Sequence, residues 1–136
     1  MNDEQYMRRA LELAQRAQIE NEVPIGALIV LDDKIIGEGW NRPIAAADPT
    51  AHAEIQAMRA ASRSTRNYRL TGATLYVTLE PCDMCLGAMF HARIARAVYG
   101  ATDPKKLVLK SQVKVEGGVL AAQCGALLSG FFAERR

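Results

Sequence analysis

Two short stretches constrain this chain more than any others: His52-Ala53-Glu54, preceded by Asp48-Pro49-Thr50-Ala51, and Pro81-Cys82-Asp83-Met84-Cys85, with 26 residues between Glu54 and Pro81. One imidazole and two thiolates suit a catalytic zinc ion, because three protein ligands leave its fourth tetrahedral position open for water. Two thiolates and a neutral imidazole also cancel the charge of Zn²⁺. Glu54 is then free to move protons. The alternative, a closed structural zinc site, needs a fourth protein ligand, and the only spare candidates are Cys124 and His91.

The spacing makes geometric demands. Asp48 followed by Pro49 reads as an N-cap and a first-turn proline, which predicts a helix starting there and carrying His52 in its opening turns. Residues two apart do not share a helix face, so His52 and Glu54 can converge on one water only if the metal lies beyond the helix end. Thr74 to Leu79 reads as a buried strand, after which Pro81 opens a second helix. Cys82 and Cys85 then fall on one face of its first turn, where the helix N-terminus and the metal both lower thiol pKa.

The rest of the chain supplies a frame. Residues 5 to 20 place Met7, Ala10, Leu11, Ala14 and Ala17 at helical spacing. Ala27 to Leu31 is a continuous apolar run, expected to be a strand buried on both faces, and Asp32-Asp33 turns the chain into a hairpin partner from Lys34 to Trp40. Asn41-Arg42-Pro43 leads into a loop of small residues that delivers the chain to His52. Asn41 there either forms a turn or hydrogen-bonds a ligand. Residues 96 to 101 read as a fourth strand, and Val119 to Arg135 as a helix with Leu120, Leu127, Leu128, Phe131 and Phe132 on its apolar side. Cys124 is expected to be buried in that helix, and His91 to lie at a surface or interface. Strands and helices alternate, which implies a three-layer α/β/α sandwich around one mixed sheet, with zinc at the sheet end where the two ligand-bearing helices begin.

At 136 residues the chain is expected to be one domain, 1–136, burying about two-thirds of its extended-chain surface. With two of three cysteines committed to metal, no signal-like start at Met1-Asn2-Asp3-Glu4 and no apolar run approaching roughly 18 residues, a soluble cytoplasmic protein is expected. Net charge is +2, but the first 38 residues carry −4 and the remainder +6. Arg93, Arg96, Lys105, Lys106, Lys110 and Lys114 have only Asp103 as an acidic neighbour in their stretch. Such an edge is either simply solvated or a footprint for a polyanion.

The pattern His-x-Glu followed by Pro-Cys-x-x-Cys is the zinc nucleobase deaminase signature. Together with Val23-Pro24-Ile25-Gly26-Ala27, Gly37 to Pro43, Asp48 to Ile55 and Thr74 to Cys85, it makes the chain resemble the bacterial tRNA-specific adenosine deaminases, the TadA type within the cytidine-deaminase-like superfamily. The resemblance implies conversion of adenosine to inosine at the wobble position of a tRNA anticodon, by a homodimer whose active sites are each completed by the neighbouring subunit. It implies that a hydroxide generated at zinc attacks C6 of a flipped-out adenine, that Glu54 shuttles the protons, that Asn41 hydrogen-bonds the base, and that Asp103 contacts a ribose. One departure stands out. The family usually joins its fourth and last strands by a longer segment, whereas residues 102 to 112 here run almost directly into Val113-Lys114-Val115. That shortening bears on the tRNA grip and leaves the metal stretches untouched. A deaminase of a free base or nucleoside, of the cytidine or guanine type, would use the same ligands but need no basic rim.

Overall fold

The computed structural model describes residues 1–105 and 113–135. Lys106, Lys110 and most of the short connection lie outside the described residues. Helix α1 (Asp3–Ile19) opens with a capping box, in which Asn2 accepts from the Gln5 backbone N–H and Gln5 returns the bond to Asn2. It buries Tyr6, Met7, Ala10, Leu13, Ala14 and Ala17. Strands β1 (Gly26–Leu31) and β2 (Lys34–Trp40) form the expected hairpin, with Asp32 and Asp33 both at positive φ (51° and 61°) as a two-residue turn requires. A one-turn helix α2 (Pro43–Ala46) and helix α3 (Ala53–Thr65) follow. Then come β3 (Thr74–Leu79), α4 (Asp83–Ala92), β4 (Arg96–Ala101), β5 (Lys114–Glu116) and α5 (Ala121–Ala133).

The strands form one mixed sheet in the order β2-β1-β3-β4-β5, with β1 antiparallel to both β2 and β3, and β3, β4 and β5 parallel. Side chains alternate across it. Ala27, Ile29, Leu75, Val77 and Ala97 pack with α3 and α4, while Leu28, Val30, Tyr76 and Val98 pack with α1 and Cys124 of α5. This is the three-layer sandwich, and it explains why β1 is apolar at every position. Helix α3 lies close on β2 because Gly39 faces it: a Cβ there would stand 2.5 Å from the Ala57 nitrogen and 2.7 Å from the Ala53 oxygen. The small residues Ala53, Ala57 and Ala61 complete that contact, which fixes the start of α3 against the end of β2.

The structure departs from expectation at the following points. Helix α3 begins at Ala53, not at Asp48, and His52 is its N-cap in extended conformation. The Asp48 side chain is drawn into a local turn, accepting from both the backbone N–H and the hydroxyl of Thr50 at 2.8 Å, and so does not start a helix. Helix α4 begins at Asp83, with Cys82 as N-cap, so Pro81 precedes the helix and does not open it. The loop after Asn41 contains α2. Helix α5 buries Cys124 and Phe131 but leaves Phe132 49% exposed, so Phe132 is not a core residue.

Candidate active site

The C-terminal ends of β2, β3 and β4 lie at the same end of the sheet. Trp40 pairs with Gly26, Ala27 with Val77, Val77 with Tyr99, and Leu79 with Ala101, so residues 41, 80–82 and 102–103 emerge side by side. The Arg42 N–H donates to the Ala51 oxygen at 2.9 Å, tying the chain after β2 to the residue before His52.

At both helix starts the N-cap side chain leaves its own helix uncapped. His52 and Cys82 turn instead toward each other and toward Cys85. His52 Nδ1 lies 3.6 Å from Cys82 Sγ and 3.6 Å from Cys85 Sγ, and the ligand atoms of all three residues fall within 4.8 Å of one another. A tetrahedral zinc with bonds of about 2.3 Å to sulfur and about 2.0 to 2.1 Å to nitrogen spaces S and N about 3.6 Å apart. The donor set and its spacing therefore fit zinc. Among the described residues no fourth protein ligand joins this group. Cys124 is buried on the opposite face of the sheet, and His91 is exposed on α4, set edge-on to Phe90.

The metal-free protonation pattern is uneven. Hydrogen bonds from Cys85 and His52 hold the Cys82 thiol down at about 3, against its burial. Cys85 is pushed far up, first as donor to Cys82 and then by burial, and His52 is raised by its bond to Cys82. One thiolate thus sits beside a thiol and an imidazole that favours its proton.

Glu54 stands in the first turn of α3, 4% exposed, with burial as the main cause lifting its carboxyl to about 7; the Cys82 thiolate adds to the lift, and the Glu54 backbone N–H partly offsets it. Its place beside the ligand group, without belonging to it, suits this carboxyl to take a proton and return it.

Asn41 is 7% exposed; its backbone N–H donates to the Ile25 oxygen at 3.0 Å, and its side-chain amide has no hydrogen-bond partner among the described residues. Asp103 lies beyond β4. Its N–H donates to Glu80 Oε1 at 3.0 Å, its carboxylate accepts from the Lys105 N–H, and it lines a cavity of about 370 Å³ with Leu79, Lys105, Leu128 and Phe132. The basic edge is less open than the linear sequence implies. Arg96 is engaged by Asp3 and Glu116 at 2.6 and 2.7 Å, because α1 and β5 bring acidic residues that are remote in sequence, and Lys114 pairs with Glu116 of its own strand at 3.2 Å. Sequence reasoning passed over Glu20 and Glu22: Glu20 holds the side chains of Trp40 and Arg42, Glu22 holds the backbone N–H groups of Ile44 and Ala45, and no spacing marks either.

Residues 1–101 match the family model for the cytidine and deoxycytidylate deaminase zinc-binding region. The chain is 50% identical to a Haemophilus influenzae tRNA-specific adenosine deaminase over 147 aligned positions, covering 98% of this chain and 85% of that protein. It is 40% identical to the Bacillus subtilis tRNA-specific adenosine deaminase, covering 98% and 91%. The alignment to the Haemophilus protein is longer than the 136-residue chain, so that relative carries residues this chain lacks. A solved structure from work on A-to-I editing by tRNA:A34 deaminases at the wobble position superposes with a TM-score of 0.87 at 40% identity, covering 91% of this chain and 99% of that one. The guanine deaminase from Nitrosomonas europaea shares the fold, with a TM-score of 0.86 at 23% identity, covering 96% and 84%.

Proposed function

The chain belongs to the cytidine and deoxycytidylate deaminase zinc-binding family, and from that premise we infer that it is a tRNA adenosine deaminase, converting adenosine to inosine at the wobble position of a tRNA anticodon with release of ammonia. The observation that carries the deaminase chemistry is the three-ligand constellation of His52, Cys82 and Cys85, with the buried Glu54 carboxyl in the turn that follows His52. The choice of tRNA rests on relatives of 40 to 50% identity across nearly the whole chain.

His52, Cys82 and Cys85 would hold zinc, which would supply Lewis-acid activation of a water molecule. Glu54 accepts the proton of that water as its oxygen adds to C6 of the flipped-out adenine, and delivers it to the neighbouring ring nitrogen. Glu54 then helps protonate the exocyclic amine, which leaves as ammonia, so water and adenosine give inosine and NH₃. The Asn41 amide, buried and without a hydrogen-bond partner among the described residues, is suited to hydrogen-bonding the base edge. Asp103 is assigned to a ribose of the target region, a contact that distinguishes RNA from DNA when it engages the 2′-hydroxyl. The reading is tested by inosine formation in an anticodon stem-loop against free adenosine, cytidine and guanine.

The enzyme is further read as a homodimer. An open, mainly apolar groove of about 680 Å³ runs between α3 and α4, lined by Ile55, Met58, Tyr68, Met84 and Ala88. Tyr68 is 74% exposed and Met84 39%, which supports a second copy as cover for that face. Because both helices carry metal ligands at their starts, a partner there would stand next to each site. Light scattering at micromolar concentration is expected to give twice the mass of one chain, and a monomer would contradict this. The two cores share one sheet, which supports reading residues 1–136 as a single deaminase domain. No helix among the described residues is long and apolar enough to cross a membrane. The three free thiols support a reducing, cytoplasmic location, and recovery of the protein only with the cell envelope would contradict it.

A further inference from the structure

The turn that ends α1 reaches across to the segment that carries Asn41. Helix α1 closes in a Schellman motif: Asn21 is left-handed (φ 61°), its N–H donates to the Gln18 oxygen at 3.0 Å, and the Glu22 N–H donates to the Ala17 oxygen at 2.9 Å. The backbone of Glu22 is thereby fixed. Its side chain is 2% exposed, and its carboxylate accepts from the Ile44 N–H at 3.3 Å and the Ala45 N–H at 2.7 Å.

These are the donors that the first turn of α2 leaves without intrahelical partners; Pro43 has no N–H, and the Arg42 side chain caps nothing. Arg42 is held elsewhere. Glu20 Oε1 accepts from Arg42 Nε at 3.0 Å and from Trp40 Nε1 at 2.9 Å, so both neighbours of Asn41 are gripped by one carboxylate. Asn41 itself contributes its backbone N–H to Ile25 and keeps its amide uncommitted. Two carboxylates from the end of α1 thus fix the chain immediately before and after the one buried side chain with free hydrogen-bonding capacity on this loop.

We propose that Glu22, assisted by Glu20, is a positioning residue that pre-organises the 40–46 segment so that the Asn41 amide meets the substrate base. The proposal rests on the reading of Asn41 as the base contact. A carboxylate is required because both facing groups are donors. A glutamine offers one acceptor oxygen and one NH₂, so either Ile44 or Ala45 would face a donor.

The test is inosine formation from an anticodon stem-loop RNA by four zinc-loaded proteins: the parent, Glu22→Gln, Asn41→Ala and the double variant. Glu22→Gln is expected to lower kcat/KM by up to about 100-fold, the scale set by small misplacements of a binding group, with zinc content unchanged. In the Asn41→Ala background the same change is expected to cost less than about twofold, because its effect runs through the missing amide. An equal loss in both backgrounds would make Glu22 merely structural and overturn the proposal. An Asn41→Ala protein with parental kcat/KM would instead remove the reading of Asn41, and the proposal with it. Should Glu22→Gln fail to fold, Glu20→Gln on the exposed side of the clamp carries the same cycle, with a smaller loss expected that again vanishes without Asn41.

Discussion

Replacing Glu54 by Gln is expected to cut inosine formation by about 10²- to 10⁴-fold, the range that positioned general acid–base groups contribute, while zinc content stays at the parental level. The two effects separate because Glu54 stands next to the ligand group without belonging to it. The amide keeps the shape of the side chain but can neither take the water's proton nor hand it on. The same substitution is expected to stabilise the zinc-free protein in a pH-dependent way. Burial raises the Glu54 carboxyl from its ordinary 4.5 to about 7. Below 4.5 the group is neutral folded and unfolded, and the carboxyl costs nothing. As pH rises from there toward 7, the unfolded chain gives up its proton first, and folding is disfavoured progressively, by on the order of 3 kcal/mol above pH 7. Melting temperatures of zinc-free parent and Glu54→Gln should therefore coincide at low pH and diverge toward neutrality with the variant higher. A variant that kept parental turnover, or whose activity loss tracked zinc loss, would remove Glu54 from the proton path.

Removing a ligand acts on binding first. Cys85→Ala is expected to weaken zinc by more than the about 10- to 100-fold that loss of a supporting group costs, and to abolish turnover with it. In the parent, zinc at a thousandfold excess over its Kd is expected to raise stability by about 4 kcal/mol, and a chelator to reverse both stability and activity until zinc is restored. The affinity should also depend on pH with a definite sign. Cys85 holds its proton tightly and His52 favours its own, so zinc must displace protons to bind a second thiolate and a neutral imidazole. Lowering pH therefore opposes binding, and chelator competition should strip zinc more easily at pH 6 than at pH 8. Affinity independent of pH, or full activity without metal, would contradict the assignment of these three ligands.

What could be read from the sequence was what local chemistry decides. Asp32-Asp33 between two apolar runs could only be a tight turn, and the runs at 74–79 and 96–101 became β3 and β4 with those bounds. The ligand residues His52, Cys82 and Cys85 were legible because the chemistry of zinc allows few alternatives at that spacing. Errors arose where a partner distant from the motif took over a group. Asp48 looked like an N-cap until Thr50 claimed its carboxylate, and the helix began at Ala53 instead. Arg96 looked like a free cation until α1 and β5 brought Asp3 and Glu116 to it. Glu22 carried no pattern at all. Its importance depends on Ile44 and Ala45 arriving beside it in the folded chain, which no spacing rule announces.

The most direct test of the central claim is position-resolved inosine formation in an anticodon stem-loop RNA. Zinc-loaded protein and its Glu54→Gln variant would be run side by side on RNAs that carry the adenosine at the wobble position or one nucleotide away, with free adenosine, cytidine and guanine as competitors. Inosine is expected at the wobble position, strongly diminished in the variant and little affected by the competitors. Turnover of a free base or nucleoside with no inosine in the RNA would contradict the tRNA reading and point to a small-molecule deaminase with the same zinc ligands.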